Sequence, residues 1–379
     1  MRIVRGMAGK STRCGTRRYR QPEMQAYCAF QDRFDLHMGL CLFACRYCFL
    51  HTGPGGGGTS NRKFMNCSYS SLQPIIESAG RRRRMAIVGV CNDPSLSSSD
   101  RIEWMLDQCD VNRTYLSIST KNPGRFIPFL DMDRARRVSF KVSMAMFRDV
   151  DCSILEPNAP LLSKRLDDMG RLLHMRADVQ IRLQPFFLGY YEGLEGLLNR
   201  FAGRVERLVV EPVRMHAPGI KHFMQCDPAL YLDNYSVREY LHRWCLPGKN
   251  GGPYYFGPLH WYEYDPALVH QEHIRLKRMA HNAKMKFGMC SGYYGWKDVY
   301  LNDGPDYCCS TTHKMRHGVT CDSRGLCTLG IRRQIDSNKI ESLANTKMRD
   351  EFKLELGRLE WINDPAYVPY PYTDTDQGE

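Results

Sequence analysis

The chain has 379 residues, 43% hydrophobic and 25% charged, enough to bury a large core; α/β barrels use such a length as one unit. A mean hydropathy of -0.47, with no run of about eighteen apolar residues, argues against a membrane span. The first residues are basic with no apolar segment after them, so sixteen cysteines point to metal or redox chemistry in the cytoplasm rather than a secreted disulfide framework. A formal charge of +12 and a pI near 9.0 favour an anionic partner, nucleic acid first; simple solubility is the plain alternative.

Residues 1–30 read as a flexible basic arm, with seven Lys and Arg residues ahead of the first acid, Glu23. A strand over 34–40 feeds the loop Cys41-Leu-Phe-Ala-Cys45-Arg-Tyr-Cys48, and a glycine run follows at 55–58. Helical and strand signals then alternate: helix 71–79, strand 85–90, helix 100–109, strands 114–120 and 138–146, helix 162–175, strands 179–187 and 208–213. This alternation predicts an α/β fold, a partial (βα)6 barrel of about six parallel strands over 31–214, with its site at the strands' C-terminal ends. The run Arg81-Arg-Arg-Arg84 directly precedes a strand, so it belongs at the far end, as a peripheral patch rather than a substrate clamp. Residues 215–335 read as a loop-rich, cysteine-rich C-terminal region containing a helix at 266–283 and a strand at 286–289; 336–379 is a tail.

Two groups of cysteines stand out. Cys41, Cys45 and Cys48 offer three thiolates from one short loop, enough for three corners of a 4Fe–4S cluster with one iron left open. Zinc stays open as an alternative, since His37 or His51 could supply the fourth ligand that structural zinc requires. The second group is Cys290, Cys308, Cys309, Cys321 and Cys327, in a loop region with His313 and His317. Adjacent Cys308 and Cys309 cannot easily reach one metal together. One of them with Cys290, Cys321 and Cys327 is expected to hold a second 4Fe–4S cluster or a zinc, reduced thiols being the plain reading.

The first loop resembles the signature of the radical S-adenosylmethionine (SAM) superfamily, with Tyr47 as the aromatic before the last cysteine. The resemblance implies that the open iron chelates SAM. One electron, from a donor such as flavodoxin or ferredoxin, then cleaves SAM to a 5′-deoxyadenosyl radical that takes hydrogen from the substrate.

Further along, Asn92-Asp-Pro94, Ser119-Thr-Lys121, Ser143, Leu155-Glu-Pro-Asn-Ala-Pro160 with Arg165, and Gln184-Pro-Phe-Phe-Leu-Gly189 resemble the spore photoproduct lyase branch. This implies that Asn92, Asp93, Lys121, Ser143 and Arg165 flank SAM, with Lys121 on its carboxylate; a salt bridge to a nearby acid is the plain reading of Lys121. Cys91 falls where the lyase keeps a hydrogen-atom donor, or is simply a small buried hydrophobe. Phe49 stands where the lyase has a relay tyrosine, and the C-terminal cysteines have no counterpart there. The resemblance therefore extends better to viral radical SAM isomerases that hypermodify thymidine in DNA, moving an amino-acid substituent from nitrogen to carbon. Repair of a crosslinked thymine dimer is the rival reaction, and a zinc-stabilised nucleic-acid-binding protein without catalysis the rival class.

Overall fold

In the computed structural model the described residues are 33–38, 41–48, 65–81, 85–89, 92–213, 266–289 and 303, with short two-residue strands between 215 and 262. The strands are β1 (Arg33–Phe34), β2 (His37–Met38), β3 (Met65–Asn66), β4 (Met85–Val88), β5 (Tyr115–Thr120), β6 (Val138–Ser143), β7 (Asp178–Phe186), β8 (Arg207–Pro212), β9 (Met215–His216), β10 (Tyr231–Leu232), β11 (Tyr235–Ser236), β12 (Tyr255–Phe256), β13 (Trp261–Tyr262) and β14 (Lys286–Met289). The helices are α1 (Tyr69–Arg81), α2 (Ser99–Val111), α3 (Met132–Ala135), α4 (Asp149–Leu155), α5 (Leu162–His174), α6 (Leu194–Arg200) and α7 (Pro266–Asn282).

Strands β4 and β8 are buried along their whole length, as expected where a parallel sheet is covered on both faces. Seven strands pair in the order β1-β4-β5-β6-β7-β8-β14, every ladder parallel. Each crossover moves one place in the same direction, which is how a βα barrel grows. Among the described residues no ladder joins β14 back to β1, so the barrel is partial.

The expected count was about six strands; β14 is the seventh. It pairs with β8 through Lys286↔Arg207 to Met289↔Val210, so the sheet continues beyond residue 214. Four residues behind a long loop-rich stretch carry too little periodicity to announce their place in a sheet. Helices α4 and α6, seven residues each, likewise fall where no helix was read.

Alternate residues of each strand separate two environments. Leu116, Ile118, Phe140, Val142, Ile181, Leu183, Leu208 and Val210 are buried with Leu166, Met169 and Leu172 of α5 in one apolar core. Each such side chain contributes about 1.5–3 kcal/mol by leaving water. The intervening positions are polar yet buried: Ser119, Lys141, Gln180 and Arg207 lie side by side in register across β5, β6, β7 and β8. The barrel interior is therefore a polar layer framed by an apolar one. No helix among the described residues is long and apolar enough to cross a membrane.

Candidate functional site

The cysteine loop is built from two consecutive turns. Ala44 N–H donates to the Cys41 carbonyl (3.2 Å) and Cys48 N–H to the Cys45 carbonyl (3.0 Å), with Ala44 left-handed at φ 51. The segment after α4 cradles it. Arg46 N–H donates to the Leu155 carbonyl (2.9 Å), and the Asn158 backbone and side-chain amides donate to the carbonyls of Phe43 (3.4 Å) and Leu42 (2.9 Å). Thus the 155–160 segment serves as a bracket for the loop.

Cys41, Cys45 and Cys48 are free thiols, the first two buried. Burial pushes the Cys41 thiol up to about 11 and Cys45 well above the ordinary thiol range. Cys48 also opposes ionisation of Cys41, and Cys41 and Cys48 that of Cys45, while Lys121 favours the Cys45 thiolate. Two buried thiols that resist becoming anionic by themselves suit a cationic centre, which reverses that preference. Among the described residues, no three His, Cys, Asp or Glu side chains converge around one ion; a cluster, whose irons each take a different thiolate, has no need of that. The donor set fits a 4Fe–4S cluster with one open corner. The His37 ring is held through Nδ1, 3.0 Å from Ser97 Oγ, and its carbonyl accepts from Asn92 Nδ2 (3.3 Å). His51 lies outside the described residues.

A single carboxylate organises the space behind the loop. Glu156, fully buried, accepts from the Tyr47 hydroxyl on Oε1 and from Arg165 on Oε2, and Lys121 Nζ sits 3.1 Å from Oε1. Burial alone would raise the Glu156 carboxyl; Arg165 and Lys121, with the hydrogen bonds from Tyr47 and Arg165, hold it down at about 2. Burial works against the Lys121 ammonium, but Glu156 and Cys45 outweigh it and keep Lys121 charged. Arg165 also donates to the carbonyls of Pro160 (2.7 Å) and Ser143 (3.1 Å). The cysteine loop, the end of β5, the end of β6 and α5 therefore meet at one anion.

The remaining expected residues take definite places. Asp93 accepts from Ser95 N–H (3.0 Å), Ser95 Oγ (2.7 Å) and Thr120 Oγ1 (2.7 Å) on one oxygen, and from Lys121 N–H (2.6 Å) on the other. It thereby fixes the backbone that carries Lys121. Asn92 N–H donates to Asp35 (3.3 Å), tying the turn after β4 to the β1–β2 segment. Lys121 has an acid partner in Glu156, and Arg165 is completely buried against Glu156 and the Ser143 carbonyl. Cys91 and the five cysteines Cys290, Cys308, Cys309, Cys321 and Cys327 lie outside the described residues.

Two features escaped the sequence reading. Glu156 was seen only as part of a segment, although a lone acid between Leu155 and Pro157 at a helix end was a usable signal. The second is a polar set at the ends of β5, β7 and β8: Arg182 donates to Ser119 Oγ (2.9 Å) and faces Glu211 at 3.7 Å, and Gln184 donates to Glu211.

No family model matches the chain, and no curated protein does. Among solved structures it is similar to a spore photoproduct lyase variant with bound AdoMet and dinucleoside spore photoproduct, at 15% identity and a TM-score of 0.48, over 66% of this chain and 72% of that one. It is also similar to Streptococcus suis SuiB bound to S-adenosylmethionine, at 11% identity and a TM-score of 0.44, over 74% of this chain and 56% of that one. At such identities and scores the functional reading rests on the site itself.

His37 gives the site a pH signature. Burial, then Arg101, lowers its pKa from 6.5 to about 4. The unfolded chain takes up the proton near 6.5 and the folded chain only near 4. The stability is thus complete above pH 6.5 and is lost as the pH falls towards 4, by about 2 kcal/mol at pH 5. Urea unfolding at pH 7 and pH 5 should show this difference shrinking by that amount in His37→Gln; equal differences in the two proteins refute the assignment.

Proposed function

We propose that this chain is a cytoplasmic radical SAM enzyme acting on a DNA base or a nucleoside-derived substrate. The observation that carries the proposal is the loop of three free thiols at the mouth of a parallel barrel, joined through Tyr47 to a buried Glu156–Lys121–Arg165 cluster. When bound at Cys41, Cys45 and Cys48, a 4Fe–4S cluster supplies the electron that cleaves SAM and so starts hydrogen abstraction. The chain's own residues hold and screen the site. Glu156 keeps Lys121 charged and in place beside Cys45, ready for the anionic end of a ligand, and Asp93 fixes the backbone beneath it. Asn92 and Ser143 complete the rim, and Arg165 braces it from within the wall.

The reaction we favour is isomerisation of an amino-acid-substituted thymidine from nitrogen to carbon linkage in viral DNA hypermodification, with a flavodoxin or ferredoxin as electron donor. The charge of +12 suits a nucleic-acid substrate. Cys91 is the proposed hydrogen donor to the product. Cys290, Cys308 or Cys309, Cys321 and Cys327 are proposed to hold a second 4Fe–4S cluster or a zinc.

Anaerobic purification with iron, sulfide and zinc counts, followed by reduction in the presence of SAM, tests the proposal. About eight irons with 5′-deoxyadenosine formation is the expected result; about four irons with zinc keeps the reaction and makes the second site structural. Zinc without iron, and SAM left intact, overturns it.

A further inference from the structure

The end of the barrel opposite the cysteine loop has a chemistry of its own. Each helix-to-strand turn there places an exposed cation just ahead of a strand. These are Arg81 before β4, Arg113 before β5, Arg136 before β6, Arg176 before β7, Arg204 before β8 and Lys284 before β14. The strands are consecutive parallel neighbours, so their starts share one edge. Six cations therefore follow that edge across five inter-strand steps, roughly 24 Å at about 4.8 Å per step.

Cations near helix C-termini are favoured by the helix dipole, which accounts for some of this pattern. Three observations go beyond it. Arg113, Arg176 and Lys284 are left-handed, at φ 52, 60 and 55, where a helix ordinarily ends on glycine or asparagine. Each such residue costs on the order of 1 kcal/mol that glycine would not. Arg81, Arg113, Arg176 and Lys284 make no ion pair among the described residues, whereas Arg134 on the same edge binds Asp107 and Asp110. Finally, a cavity of about 520 Å³ between the ends of α5 and α6 adds Arg171, His174 and Arg200 beside Arg204. The acids nearby are engaged: Asp167 by Arg200 (2.7 Å), Asp133 by Arg136 (3.5 Å) and Glu206 by Lys286 (3.2 Å).

We infer that this N-terminal face of the barrel docks the phosphate backbone of a nucleic acid, independently of base sequence. Five of the six cations in the row are arginines, whose planar fork matches phosphate. A duplex laid along 24 Å presents about fourteen phosphates. Such contacts position the polymer and carry no sequence information. The face lies away from the mouth, so docking there does not depend on the reaction proposed above.

The left-handed turns allow a clean test, because glycine removes their charge and relieves the backbone. The quadruple variant Arg113→Gly, Arg176→Gly, Arg204→Ser, Lys284→Gly is compared with wild type as full-length, metal-loaded protein. Binding to a labelled random-sequence 30-base-pair duplex is followed by fluorescence anisotropy between 50 and 200 mM NaCl. The variant is expected to melt no lower than wild type and to bind at least about tenfold more weakly at 100 mM salt. Its plot of log affinity against log salt should be shallower by about 3.6, since each of the four lost phosphate contacts removes about 0.9. An unchanged slope overturns the inference, as does a wild type that ignores the duplex. Loss of binding to polyglutamate with the duplex unaffected would assign the face to an acidic protein instead and also overturn it. SAM cleavage plays no part in this readout, so either proposal can fail without the other.

Discussion

Replacing Cys41, Cys45 and Cys48 together by alanine is expected to remove about four irons per chain and to bring 5′-deoxyadenosine formation to background. The loop should keep its shape. Its turns close through the backbone of Ala44 and Cys48, and Arg46 and Asn158 attach it through amides, beside the backbone hydrogen bonds that the Cys41 sulfur takes from Phe43 and Asp93. Thermal unfolding of the metal-free variant should therefore match that of metal-free wild type. A variant that still cleaves SAM at the wild-type rate would place the reaction elsewhere. One that loses iron and also melts far below wild type would show the thiols holding the fold in their own right.

Glu156→Ala is expected to destabilise the protein by about 3–5 kcal/mol. Removing this carboxylate leaves the buried Arg165, the largely buried Lys121 and the Tyr47 hydroxyl without their shared partner. Tyr47→Phe removes one neutral donor from the same anion and should cost about 1–2 kcal/mol. The carboxyl's own titration points the same way. With its pKa held at about 2 against 4.5, Glu156 contributes its full stabilisation above pH 4.5 and loses it as the pH falls towards 2. Urea unfolding at pH 7 of wild type, the two single variants and the double variant measures the coupling. A loss below about 1 kcal/mol for Glu156→Ala would mean that water or another acid takes over, and that the mouth is not held by this residue.

What could be read along the chain was whatever repeats or clusters locally. The three-cysteine spacing, the buried runs of β4, β5 and β8, and the helical periods of α2, α5 and α7 are short-range patterns, legible because side-chain direction recurs every two or 3.6 residues. The turn at Asn92–Asp93 and Lys121 were legible as strand endings in the same way. Tertiary structure decided how those endings are wired. Tyr47 meets Glu156 across 109 residues, Asp93 meets the Lys121 backbone across 28, and β14 joins β8 after a long excursion. The sequence by itself thus determined the cysteine loop, the alternating parallel architecture and the excess of positive charge. Only the fold decided that a single buried carboxylate would bind the loop to the barrel, that the interior would be a polar layer, and that scattered cations would share one edge. Local patterns follow from the geometry of neighbouring residues, whereas charge pairing depends on where successive crossovers bring distant segments together.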